Sequence, residues 1–159
     1  AWVAITEATN ENGCLITIPG SHRKSNGPLT MHCPGKNVAA EHYIPGPLME
    51  TGKAVPLPVG AGGVILLHRF NEHTAYPNRS TSIRWSFDLR YQPTHQPSGR
   101  PAFPGFVVRS QANPAGVLTD PQAWTELWQA AKARLVNREY EGVIYQDRWV
   151  GNEKLPICA

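Results

Sequence analysis

The run Ile83-Arg84-Trp85-Ser86-Phe87-Asp88-Leu89-Arg90-Tyr91 alternates apolar and polar residues without a break. A period of two is the mark of an extended strand. Ile83, Trp85, Phe87, Leu89 and Tyr91 then share one face, and Arg84, Ser86, Asp88 and Arg90 the other. A strand of this kind cannot be buried in apolar surroundings on both sides. Its polar face needs water, partners or a ligand. The segment just before it carries His73, eleven positions ahead of Arg84.

The rest of the chain is built around strands of similar size. Fifteen prolines and fourteen glycines in 159 residues break it into short elements joined by turns, which favours a mainly β design. Trp2–Thr6 reads as a strand, Asn12-Gly13 as a tight turn and Cys14–Ile18 as a β-branched strand stopped by Pro19 and Gly20. Residues 2–19 are therefore expected to form a β-hairpin. Residues 20–54 have no period and are rich in Gly, Pro, Ser, Asn and Lys. A loop that long is either functional or a disordered insertion, and the expectation is the first, with residues 23–53 contributing to substrate choice. Next come a short strand, a Gly-rich turn and the run Gly63–Phe70, which is apolar on both faces until His68. That run is expected to be central and buried. Residues 71–80 read as a turn, 82–91 as the alternating strand and 92–105 as a Pro-rich crossing loop. Asp120 and Pro121 then open a helix as N-cap and first residue. Its stripe of Trp124, Leu127, Trp128, Ala131 and Leu135 has helical spacing and is expected to pack as core.

Strands first and helix last predict a single domain over residues 1–159, mainly β. Its expected closure is a double-stranded β-helix (a jelly-roll or cupin-like barrel), incomplete here, with the C-terminal helix packed outside. That helix would cover the apolar face of residues 82–91 and turn the polar face inward.

Composition excludes several functions. A net charge of +3 with scattered Lys and Arg offers no footprint for nucleic acid, and no apolar run reaches the length of a membrane span. Cys14, Cys33 and Cys158 are odd in number and widely spaced, which argues against a disulfide framework and for a reducing, cytoplasmic setting.

His73 and Arg84 are the residues that carry chemistry. A neutral imidazole can ligate a divalent metal, and an inward arginine can grip a carboxylate with two parallel hydrogen bonds. Together they fit a non-haem iron oxygenase that takes 2-oxoglutarate, although a histidine beside a turn is also an ordinary surface residue.

Longer stretches narrow this. The segments WVAITEATNENGCLITIPGSHR (2–23) and VPLPVGAGGVILLHRFNEHTAYPNRSTSIRWSFDLRYQP (55–93), followed by GRPAFPGFVVRS (99–110), resemble the phytanoyl-CoA dioxygenase family of Fe(II)/2-oxoglutarate-dependent oxygenases. The resemblance implies hydroxylation of a small organic substrate, with Fe(II) as cofactor and 2-oxoglutarate as co-substrate. It implies that His73 is the distal iron ligand, that Arg84 holds the distal carboxylate of 2-oxoglutarate and that Trp2 lines the co-substrate site. Ser86, two residues beyond Arg84, would add a hydrogen bond. His68 reads as a structural neighbour at the end of a buried strand and His22 as a turn residue near the pocket mouth. Asp88 and Arg90 receive no catalytic role.

The chain departs from the family pattern twice. Thr74-Ala75 follows His73 where the family has a Gly-Ser pair, so Thr74 is expected to replace the lost serine contact. None of the six histidines is followed two residues later by Asp or Glu, so the His-x-Asp pair that supplies the other two iron ligands is missing. The expectation is a C-terminal portion of an oxygenase, inactive alone, with exposed strand edges through which copies could associate. The alternative is a non-enzymatic jelly-roll module that binds a carboxylate ligand.

Overall fold

Trp2–Ala4 (β1) and Leu15–Thr17 (β2) are the middle strands of two separate three-stranded antiparallel sheets. The computed structural model describes residues 1–24, 30–35, 42–96, 98, 102–139 and 149–158. The remaining elements are Cys33–Pro34 (β3), His42–Tyr43 (β4), Val55–Leu57 (β5), Val64–Ile65 (β6), His73–Ala75 (β7), Ser86–Asp88 (β8) and the helix Pro121–Asn137 (α1). One sheet has the order β6-β1-β8 and the other β5-β2-β7, with β3 and β4 forming a two-stranded ribbon. The chain divides into two compact units. Ala1–Tyr91 with Gly151–Ala159 holds all the sheets, and Gln92–Val150 holds α1. The described architecture is thus mainly β with one α-helix, compatible with a cupin-like fold.

The registers define which side chains share a face, because residues directly opposite in a ladder point the same way. In the first sheet Trp2 lies opposite Ile65 and Asp88, and Ala4 opposite Ser86. In the second, Leu15 lies opposite Leu57 and Ala75, and Thr17 opposite Val55 and His73. Trp2, Ala4 and Leu15 belong to one buried cluster, against which Leu57, Ile65 and Leu67 pack. The two sheets therefore share a single apolar core, built from the faces that also carry Ser86 and His73.

Residues 2–19 do not form the expected hairpin. β1 and β2 belong to different sheets because the link between them is drawn sideways. Ala8 exchanges backbone hydrogen bonds with Val59 (2.8 and 2.9 Å). Asn12 then closes a turn, its side chain accepting from Thr9 N and donating to the Glu7 carbonyl, both at 2.8 Å. Gly13 leaves that turn at φ 91°, where a Cβ would lie 2.7 Å from the Tyr76 carbonyl oxygen. The expected turn exists, but it delivers the chain to a second sheet.

Three other expectations need correcting. Gly63–Phe70 contributes only Val64 and Ile65 to a ladder, at a sheet edge, and Leu66 is 81% exposed. Ile65 and Leu67 alone reach the core, so the run alternates in burial although its sequence does not. The apolar face of residues 82–91 is open: Ile83 is 71% exposed, Trp85 60% and Phe87 58%. Residues 73–75 lie in strand β7 within the segment read as a turn, held by pairing with β2.

Although the number and spacing of the cysteines argued against a disulfide framework, Cys33 and Cys158 form a disulfide across 125 residues of sequence, and Cys14 is a buried free cysteine. Asn152 Nδ2 donates to the His32 carbonyl (2.8 Å) beside it, so the β3–β4 ribbon is tied to the C-terminal segment both covalently and by hydrogen bonding. The disulfide removes the ground on which a reducing compartment was inferred. No described helix is long and apolar enough to cross a membrane.

In the second unit α1 starts as its sequence predicts, the Asp120 carboxylate accepting from Gln122 N at 2.9 Å. Within its stripe Trp124 and Trp128 meet edge to face at 6.1 Å, and Phe103 lies 6.0 Å from Trp128. Ala131 is fully buried, whereas both tryptophans stay partly exposed.

Candidate active site

Arg84 stands two residues ahead of Ser86, so strand alternation brings both to the core-facing side of the first sheet, beside Trp2. Its guanidinium carbon lies 5.1 Å from the centre of the Trp2 ring, and Nη1 donates to Ser86 Oγ at 3.1 Å. Trp2 is only 5% exposed, while Arg84 and Ser86 are half-buried. The indole thus forms a rigid wall on which the planar cation rests. Among the described residues Glu50 forms the ion pairs, with Lys24 and Lys53, and Arg84 forms none. A half-buried guanidinium held by a ring and a hydroxyl, with donors to spare, is suited to receive a carboxylate. Asp88 shares the face but is exposed.

His73 opens β7 opposite Thr17, on the core-facing side of the second sheet. Its Nδ1 lies 2.7 Å from the Asn71 carbonyl oxygen, which can only accept. Nδ1 therefore carries a proton, and in the neutral ring Nε2 presents its lone pair. This is the tautomer a metal-binding histidine takes when a carbonyl orients it. The ring is exposed. His73 and Arg84 thus lie on the two faces that share the core cluster, on different sheets. Thr74 lies opposite Ile16, on the other face, so β-sheet alternation turns it away from the side that carries His73.

His68 does not end a buried strand. It is exposed, its Nδ1 accepts from Phe70 N at 3.3 Å, and its ring lies 5.2 Å from His22 and 5.5 Å from Phe70. His22 lies in the 3-10 turn Ser21–Arg23, as its sequence context implies. Among the described residues no group of three or more His, Cys, Asp or Glu side chains is placed to hold a metal ion. Among the described residues His73, through Nε2, has the chemistry of one coordination position.

A buried polar cluster behind His73 escaped the sequence reading. Thr17, Ser21 and Glu72 are all buried. Thr17 Oγ1 donates to the Glu72 carbonyl (3.0 Å), Glu72 N donates to Ser21 Oγ (2.8 Å), and Asn71 Nδ2 donates to Thr17 Oγ1. The one available signal was a threonine on the core-facing side of LITI, where a valine would be expected.

Known proteins decide the family. The family model for phytanoyl-CoA dioxygenase (PhyH) matches residues 1–86, more than half of the chain. The chain belongs to the phytanoyl-CoA dioxygenase family. Among relatives in this family, phytanoyl-CoA dioxygenase domain-containing protein 1 of Mus musculus is 32% identical over 89 residues, which cover 55% of this chain and 31% of that protein. Phytanoyl-CoA dioxygenase 1 of Oryza sativa is 33% identical over 88 residues, covering 55% and 30%. The Caenorhabditis elegans homologue of the mouse protein is 29% identical over 92 residues, covering 55% and 32%. The matched part thus spans about a third of the length of these relatives. No solved structure matches the chain. Family membership brings oxygenase chemistry of the Fe(II)/2-oxoglutarate type at the level of the family, and Trp2, His73, Arg84 and Ser86 all fall inside the matched region.

Proposed function

We propose that this chain forms the co-substrate side of an Fe(II)/2-oxoglutarate-dependent dioxygenase of the double-stranded β-helix type. One observation carries the reading. Arg84 lies against Trp2, bonded to Ser86 and to no carboxylate among the described residues, on the face that shares its apolar core with the sheet of His73.

In this reading Arg84 takes the distal carboxylate of 2-oxoglutarate through two parallel N–H donors. Ser86 keeps the guanidinium in plane, and Trp2 excludes water from one side of it. His73 offers Nε2 as one ligand to Fe(II), its proton parked on Nδ1 by the Asn71 carbonyl. Iron, when bound, would supply O2 activation coupled to oxidative decarboxylation of 2-oxoglutarate to succinate and CO2, one oxygen atom going to succinate and the other to a C–H bond of a small organic substrate. The facial set of two His and one carboxylate requires a His-x-Asp pair in addition to His73. The activity is therefore proposed for a polypeptide that carries both. Residues 23–53, in so far as they are described, are proposed to contribute to substrate choice.

The test is Fe(II)-dependent turnover of 2-oxoglutarate to succinate by such a polypeptide, with Arg84→Ala as control. Succinate from the parent and none from the variant supports the reading. A polypeptide that binds iron yet yields no succinate with any candidate substrate overturns it. Metal-independent binding of 2-oxoglutarate would then favour the second reading, a carboxylate-binding module. That alternative draws on Arg84, which forms no ion pair among the described residues.

A further inference from the structure

The cluster behind His73 does more than fill space. Thr17 sits on the middle strand, where its hydroxyl is buried beside the exposed ring of His73. Valine has nearly the same shape, suits a strand at least as well and costs nothing in desolvation. A threonine at that point needs its hydroxyl satisfied, and the way it is satisfied is informative. Its one proton goes to the Glu72 carbonyl at 3.0 Å, and its lone pair receives Asn71 Nδ2. The Glu72 carbonyl also accepts from Ile18 N at 3.0 Å, and Glu72 N donates to Ser21 Oγ at 2.8 Å. Asn71 and Glu72, the two residues before His73, are thereby clamped by β2 and by the turn that follows it. The carbonyl that receives the His73 Nδ1 proton is the one Asn71 carries.

We infer that Thr17 is a positioning residue for His73. Through Asn71 and Glu72 it holds the Asn71 carbonyl where it captures the Nδ1 proton, keeping the imidazole in the tautomer whose Nε2 lone pair faces out. The inference concerns the state of a side chain in this chain alone. Its use in metal binding rests on the function proposed above, but its test does not.

The experiment is nitrogen NMR of the histidine rings in the 15N-labelled full chain, at a pH where the imidazole is neutral. Wild type is expected to show His73 predominantly as the Nδ1–H form. Thr17→Val removes the acceptor of Asn71 and the donor to Glu72, and the Nδ1–H to Nε2–H ratio should fall about fivefold, the factor a single net hydrogen bond carries. Thr17→Ser keeps the hydroxyl and should restore the ratio. A merely structural threonine would lower the melting temperature without moving the tautomer. An unchanged tautomer in a Thr17→Val protein with a native amide spectrum therefore overturns the inference. Should Thr17→Val fail to fold, the wild type decides, since a predominant Nε2–H form would sink the proposal by itself. If the tautomer behaves as expected but no succinate is formed, the positioning role stands and the functional reading falls.

Discussion

Arg84 carries its charge against an indole and a hydroxyl, which leaves the guanidinium fork open. Arg84→Lys keeps the charge and loses the planar pair of donors, so affinity for 2-oxoglutarate, read by calorimetry, should fall by roughly 10- to 100-fold. An unchanged affinity would show that the carboxylate binds elsewhere. Gly13 is constrained in a different way. At φ 91°, with the Tyr76 carbonyl where a Cβ would go, Gly13→Ala meets both strain and a clash. It should cost about 1–3 kcal/mol in urea denaturation. Both roles were legible to different degrees. Arg84 and Ser86 follow from alternation and resemblance, and Asn12-Gly13 from turn chemistry. That Thr74 and His73 take opposite faces was not legible, since residues 73–75 are held as a strand only by pairing with the distant β2.

At the scale of elements, strength of local signal decided what could be read. α1 was readable because its N-cap, its first proline and its apolar stripe are all written within one stretch of chain. The pairing of β1 and β2 was not, because the turn at residues 9–13 is the same whether the chain returns along β1 or passes to another sheet. The Ala8–Val59 bridge makes that choice, and it joins residues 51 positions apart. β7 was missed for the same reason, since its strand conformation comes from pairing with β2. The 3-10 turn Thr51–Lys53 gives an element-level prediction. Hydrogen bonds from Lys24 and then Lys53 hold the Glu50 carboxyl at about 2, below its ordinary 4.5. A lowered folded-state value means stability present above the ordinary value and lost as pH falls through the lowered one. Wild type should therefore exceed Glu50→Gln slightly in urea midpoint at neutral pH and match it only below pH ~2, with the gap shrinking in high salt because the group is exposed. A gap that survives at low pH would show that something other than this ion pair is responsible.

For the whole molecule the covalent link from Cys33 to Cys158 matters most, because it ties the β3–β4 ribbon to a segment 125 residues further along the chain. Alkylation without reductant should modify neither of the two, and reduction followed by alkylation should add two labels at Cys33 and Cys158. Cys33→Ser should destabilise by about 2–5 kcal/mol, since a cross-link over so long a loop removes much entropy from the unfolded chain. Free labelling of both thiols in native, unreduced protein would refute the bond. By itself the amino-acid sequence determined the mainly β character, the helix with its cap, the family, and the candidates Trp2, His73, Arg84 and Ser86, because alternation, capping and motif spacing are local properties of the chain. Only the tertiary structure decided that β1 and β2 part company, that Thr74 turns away, that Thr17 and Asn71 stand behind His73, and that two distant cysteines meet. Each of these depends on contacts between residues far apart in sequence, and the free energy that selects such contacts is shared across the whole core.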